Sequence, residues 1–252
     1  MKTMALTMCS FTRYLLACVA LLSTVAACSK SEPISTVTVP VDTSQPSVPG
    51  GDTIKTYLAL GDSYTIGQSV PEQARFPAQT VALLSQSNVA IGTPMYIAAT
   101  GWTTLNLSNA IKNAELKTSY DVVSLLIGVN DQYQLRDTLN YRQRFSALLL
   151  KAISLAANKK ERVFVLSIPD YSVTPFVPAQ NKEAVSRQID QFNFINRQVT
   201  EQYKVSYTDI TPGSREAATN PSLIAFDQLH PSGSEYAKWA ALLAPKIKQV
   251  LQ

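Results

Sequence analysis

The sequence predicts an α/β domain built as a three-layer α/β/α sandwich, with helices on both faces of a parallel sheet of about five strands. Three observations carry that prediction: apolar runs too short for helices, apolar stripes at helical spacing between them, and turn residues closing each run. The runs at 57–60, 95–99, 122–127 and 163–168 are apolar but for Ser124 and Ser167, as strands buried on both faces are. Between the third and fourth, Tyr141, Phe145, Leu148, Leu149, Ala152, Ile153 and Ala156 recur every three or four residues and define a crossover helix. Val185, Ile189, Phe192, Val199 and Tyr203 make a second such stripe before a short strand at 205–210, and Tyr236, Ala240, Leu243, Ile247 and Val250 make the last.

Composition agrees with one domain of about 200 residues, because the chain is 46% apolar and only 16% charged over 252 residues. The domain is placed at 54–252. Before it, residues 28–53 are rich in Ser, Thr and Val, with Pro33, Pro40, Pro46 and Pro49 followed by Gly50 and Gly51, so neither helix nor sheet is favoured and a flexible tether is expected. Such a tether reaches on the order of 30 Å. Residues 1–27 read as an export signal: Lys2 and Arg13 precede an apolar stretch at 14–25 that is short for a membrane span and ends in small residues. The run Val25, Ala26, Ala27, Cys28 resembles the lipobox of bacterial lipoproteins, which implies acylation of Cys28 and its use as the first mature residue.

Cysteine usage supports that reading. Cys9 and Cys18 leave with the signal, and Cys28 remains without a disulfide partner. Buried lipid methylenes contribute about 0.8 kcal/mol each, so a multiply acylated Cys28 would anchor the protein durably. Ser29 and Lys30 lack the Asp that lipoprotein sorting uses for inner-membrane retention, and the outer membrane is expected. The formal charge of +4 falls to +2 once Lys2 and Arg13 are removed, and no Lys/Arg cluster interleaved with aromatics is present, so no nucleic-acid partner is expected.

In open parallel sheets the working residues lie where strands end at their carboxyl edge. The first strand exits into Gly61, Asp62 and Ser63, the second into Gly101, the third into Gly128, Val129, Asn130 and Asp131. A serine hydroxyl needs a neighbouring base to attack a carbonyl, and the chain holds a single histidine, His230. Asp227, three residues earlier, can accept the imidazole Nδ1 proton. Ser232 with Glu235 fits a capping box for the last helix, which would fix this loop. Trp102, Tyr133, Tyr171 and Phe176 sit on strand-exit loops, where a sugar or acyl pocket and ordinary packing are both open to them; packing explains such aromatics at least as often, and they are left out of the site.

These four blocks, Gly61-Asp62-Ser63, Gly101, Gly128-x-Asn130-Asp131 and Asp227-x-x-His230-Pro231, resemble in order and spacing those of SGNH (GDSL-type) serine hydrolases. The resemblance implies a flavodoxin-like α/β/α fold, Ser63 as nucleophile, His230 as base, Asp227 as its orienting acid, and an oxyanion hole from Ser63 N–H, Gly101 N–H and the Asn130 amide. It implies ester hydrolysis through an acyl-enzyme on a small-molecule or polysaccharide ester, carbohydrate O-deacetylation among the options, with no cofactor. Lysophospholipase or short-chain lipase activity, O-acyl transfer and a non-catalytic surface binding lipoprotein are the alternatives. Tyr64 stands where the GDSL pattern has Leu, and Ala98-Ala99-Thr100 departs from the usual lead-in to Gly101. One histidine and one retained cysteine exclude a zinc site of His/Cys type, and no glycine-rich phosphate-binding fingerprint follows any strand.

The anchor reading makes a direct prediction. In the native host the wild type partitions into membranes and Cys28→Ser does not; recovery of both in the soluble fraction would remove the lipobox.

Overall fold

The computed structural model describes residues 54–135 and 137–252; the signal, Cys28 and tether readings lie outside the described residues. Five strands, β1 (Tyr57–Gly61), β2 (Met95–Ala98), β3 (Val122–Leu126), β4 (Val163–Leu166) and β5 (Ser206–Thr208), form one sheet in the order β2-β1-β3-β4-β5. Every pairing is parallel. β1, β3 and β4 are buried along their whole length, as their predominantly apolar runs predict. β2 differs: it is an edge strand and only partly buried, so burial on both faces does not hold for it.

Among the described residues seven α-helices connect and cover the sheet: α1 (Ser63–Ile66), α2 (Phe76–Gln86), α3 (Thr104–Asn113), α4 (Thr138–Leu155), α5 (Lys182–Gln202), α6 (Thr211–Ser214) and α7 (Gly233–Leu251). α2 packs on α7, while α3, α4 and α5 pack side by side as a separate row, which gives the two helical layers. The three predicted stripes are α4, α5 and α7, and their apolar residues Phe145, Leu149, Ile189, Phe192, Leu243 and Ile247 are buried. α2 and α3 were not predicted. Their buried faces carry Thr80 and Thr104 among Phe76, Leu84, Leu107 and Ile111, which breaks the apolar stripe. Thr80 Oγ1 is satisfied there by donating to Phe76 O at 2.8 Å. None of the described helices is long and apolar enough to cross a membrane.

The topology positions the site. After β2 is laid beside β1, the chain returns past β1 to place β3 on its other side, so β1 and β3 flank the point where strand order reverses. At such a point the loops diverge to opposite faces and leave a crevice at the carboxyl ends of the strands. The exits of β1, β2 and β3 are the three that the sequence analysis singled out.

Candidate active site

β1 is followed by Asp62, whose Oδ1 accepts the Tyr64 N–H at 3.0 Å and caps α1. Thr65 and Ile66 N–H donate to Asp62 O at 3.1 and 3.0 Å, so Ser63 is the first helical residue and its own N–H has no partner available within the helix. Ser63 is buried, and Gly67 ends the helix in the left-handed region. Tyr64 takes the Leu position as packing: its ring lies edge-on to His230 with centroids 5.8 Å apart and to Trp239 at 6.3 Å.

β2 exits through Gly101 at φ +82°, where an added Cβ would meet nothing within 4 Å. Glycine serves there for its backbone conformation rather than for space. β3 exits through Gly128, where φ is +130° and an added Cβ would lie 2.2 Å from the Tyr141 hydroxyl oxygen. The two exits are tied together. Asn130 Nδ2 donates to Trp102 O at 3.0 Å and Gln134 Nε2 to Gly101 O at 3.0 Å. Because an amide nitrogen carries two protons, Asn130 is oriented by one while the second stays available. Asp131, the last residue of its block, does not enter the cleft lining; it is buried and accepts from Thr104 N at 2.8 Å and Thr104 Oγ1 at 2.5 Å, with Arg144 Nη2 3.4 Å away. Burial pushes its carboxyl up against the opposing effect of Thr104 and Arg144.

The loop before α7 brings the imidazole. His230 Nδ1 lies 2.6 Å from Asp227 Oδ2, and Asp227 Oδ1 accepts the N–H groups of Leu229 and His230 at 3.0 and 2.9 Å. Ser69 Oγ donates to the same Oδ2 at 2.5 Å. Burial works against ionisation of Asp227, but the Ser69 and His230 hydrogen bonds outweigh it and hold the carboxyl at about 2. Ser232 Oγ accepts the Glu235 N–H at 3.4 Å, yet the capping box is only half made: the Glu235 carboxylate turns to Trp239 Nε1 at 2.8 Å and Lys238 Nζ at 3.1 Å.

Ser63, Gly101, Asn130 and His230 line one cleft of about 130 Å³, with Tyr64, Thr100, Val129, Leu229, Tyr133, Tyr171 and Phe176 as its other walls. The structure therefore gathers every cleft residue named from the sequence, with Asp227 behind His230. It also enrols Tyr133, Tyr171 and Phe176, which the sequence analysis set aside; Trp102 is not among the lining residues. Tyr133 and Phe176 are 55% and 47% exposed, and their ring centroids are 6.3 Å apart. Among the described residues no three His, Cys, Asp or Glu side chains converge to hold a metal ion.

The model of the GDSL-like lipase/acylhydrolase family matches residues 59–238. No curated protein is detectably similar in sequence. Among solved structures, the acetylxylan esterase Axe2 of Geobacillus stearothermophilus superposes with a TM-score of 0.58 at 20% identity, covering 77% of this chain and 94% of Axe2. TesA superposes with a TM-score of 0.59 at 16% identity, covering 78% and 99%. Both share the fold with this chain.

Asp62 generates a prediction of its own. Burial, with the Asp131 charge adding to it and the Tyr64 and Gly128 N–H groups opposing, pushes its carboxyl up to about 8. The folded protein then keeps a proton that the unfolded chain loses near 3.8, so this stabilisation is present at low pH and is lost as pH rises toward 8. Asn caps a helix as well as Asp. Thermal melts should show the wild type losing several degrees relative to Asp62→Asn as pH is raised from 5 to 8, and a constant difference would contradict a neutral Asp62.

Proposed function

The chain belongs to the GDSL-like lipase/acylhydrolase family and is a carboxylic ester hydrolase, and from that premise we propose that Ser63, His230 and Asp227 perform the hydrolysis through an acyl-enzyme. The observation that carries the assignment is the 2.6 Å contact between His230 Nδ1 and Asp227 Oδ2. An ionised carboxylate there keeps the ring proton on Nδ1 and leaves Nε2 as the basic nitrogen, in a ring that lines the same cleft as Ser63.

The steps follow. Ser63 Oγ attacks the ester carbonyl carbon while His230 Nε2 takes its proton. The carbonyl oxygen gains negative charge, which the N–H groups of Ser63 and Gly101 and the free Asn130 amide proton stabilise. Asp227 stays ionised and stabilises the imidazolium. Collapse of the tetrahedral intermediate breaks the bond to the alcohol oxygen, which receives the proton from His230. Water then attacks the acyl-Ser63, His230 takes its proton and returns it to Ser63 Oγ, and the carboxylic acid leaves.

For the substrate we favour a short acyl group on a carbohydrate. The reacting cleft is small, about 130 Å³, and Val129 and Leu229 give it apolar walls. A second hollow of about 340 Å³ adjoins it through Tyr133, Tyr171 and Phe176 and carries Asn181 and Gln188. Aromatic faces suit the C–H faces of a sugar ring and amides suit its hydroxyls, whereas a fatty chain would strip water from those amides without replacing their hydrogen bonds. Axe2, the acetylxylan esterase of the same fold, supports this choice. Transfer of the acyl group to a sugar hydroxyl instead of water would use the same steps with a different final acceptor. The acylated Cys28 and outer-membrane location are proposed alongside, on the sequence pattern alone.

Two measurements test the proposal. On p-nitrophenyl esters, kcat/KM is expected to be highest for acetate and to fall as the chain lengthens to laurate; a preference for laurate would overturn the short-acyl assignment. Asn130→Ala should lower kcat per titrated site by roughly 100- to 1000-fold with KM little changed, because its amide stabilises the transition state rather than bound ester. A normal kcat per site in a less stable variant would confine Asn130 to its bond with Trp102.

A further inference from the structure

The carboxylate behind His230 has a fourth donor that belongs to the other side of the site. Asp227 Oδ1 is occupied by two N–H groups of its own loop, and Oδ2 by the His230 ring. The last position is filled by Ser69 Oγ at 2.5 Å, which is 158 residues away in sequence and two residues beyond Gly67, the end of the short helix that starts with Ser63. With two hydrogen bonds on each oxygen, the carboxylate has no lone-pair direction left to rotate toward.

Ser69 reaches this position at a conformational cost. Its φ is +68°, in the left-handed region where a non-glycine residue is uncommon. The turn is held in that shape by Gln68 N–H donating to Ser63 O at 3.0 Å and Val70 N–H donating to Gly67 O at 3.2 Å. Gln228, inside the loop that receives the bond, is also left-handed, at φ +64°. Two segments with backbone in that region thus meet at one carboxylate, and the bond between them joins the strand exit carrying the nucleophile to the loop carrying the base.

We propose that Ser69 is a positioning residue that acts through Asp227, locking the carboxylate on His230 Nδ1 and drawing off part of its charge so that the basicity of His230 is tuned. The role rests on the esterase reading above, but the contact itself does not. Since one oxygen serves two donors, the hydroxyl and the imidazolium compete for its charge. Loss of the hydroxyl leaves more charge for the ring and raises the pH at which the imidazole gives up its proton.

Other charges around the pair must be held constant in any test. Tyr64 from α1 and Tyr236 from α7 face it, and burial pushes both hydroxyls well above their ordinary value, so they stay neutral. Asp170 and Glu235 line a small hollow beside His230; burial works against ionisation of Asp170, but Ser172, Ser186 and Arg215 hold its carboxyl below the ordinary range. Asp62 and Arg75 act on the same Tyr236 hydroxyl, and burial pushes the Asp62 carboxyl up to about 8. All of these are shared by wild type and variants, so a difference between them isolates Ser69.

The test uses the fact that His230 is the chain's only histidine. Its imidazole proton resonances can be followed through a pH titration of the untagged protein without assignment, and without turnover. Ser69→Gly removes the hydroxyl and relieves the backbone; Ser69→Ala removes the hydroxyl and keeps the strain. Both variants should raise the His230 midpoint above that of the wild type. The acid limb of kcat/KM on p-nitrophenyl acetate should move by the same amount, while Ser69→Ala melts below Ser69→Gly. A midpoint equal to wild type in both variants overturns the proposal, as does a change in melting temperature alone. An inactive wild type with a shifted midpoint would sink the esterase reading and leave the coupling of Ser69 to His230 established.

Discussion

β1 lies between two parallel neighbours reached in opposite directions, and the arrangement of the site depends on that constraint. Leu58 to Gly61 are in register with Met95 to Ala98 on one side, and Tyr57 to Gly61 with Val122 to Leu126 on the other. Parallel strands in register end at the same edge, so the three chain exits emerge within one loop length of each other. The serine turn, the glycine of β2 and the amide of β3 are neighbours because the sheet makes them so. An antiparallel neighbour would have delivered a strand start in place of an exit.

The sheet brings these loops close but does not fix their conformations, and buried polar bonds do that. Asp131 accepts both the backbone and the hydroxyl of Thr104, joining the β3 exit to the start of α3. Asn130 and Gln134 hold the carbonyls of Trp102 and Gly101, and Ser69 holds Asp227. Each bond crosses from one loop to another, so the site is cross-linked by hydrogen bonds rather than supported by any single element. Low local dielectric strengthens such bonds when they are complete and makes each one costly to break.

How much of this the sequence discloses follows from the kind of signal each residue leaves. Apolar runs make four of the five strands legible, β1, β3 and β4 because they are buried on both faces, and β2 although its edge position leaves it only partly buried; β5 is expected over 205–210 and extends only from Ser206 to Thr208. α2 and α3 are obscured because buried Thr80 and Thr104 interrupt their apolar faces. His230 is conspicuous as a lone imidazole with Asp227 three residues before it. Ser69 is not, since its partner lies in a distant loop and a serine after Gly67 and Gln68 looks like turn chemistry. Tyr133 and Phe176 likewise come together only through the fold, and an aromatic on an exit loop has no local feature that separates cleft wall from packing.

The central claim is that Ser63 becomes covalently acylated with His230 as its base. Intact-mass and peptide-mapping analysis after treatment with a fluorophosphonate tests it most directly. The account predicts one adduct per chain on the peptide containing Ser63, absent in Ser63→Ala and formed far more slowly in His230→Ala. Separate fragment ions distinguish Ser63 from Ser69 within that peptide. An adduct on Ser69 or another serine, or a folded protein that takes no label, would contradict the account.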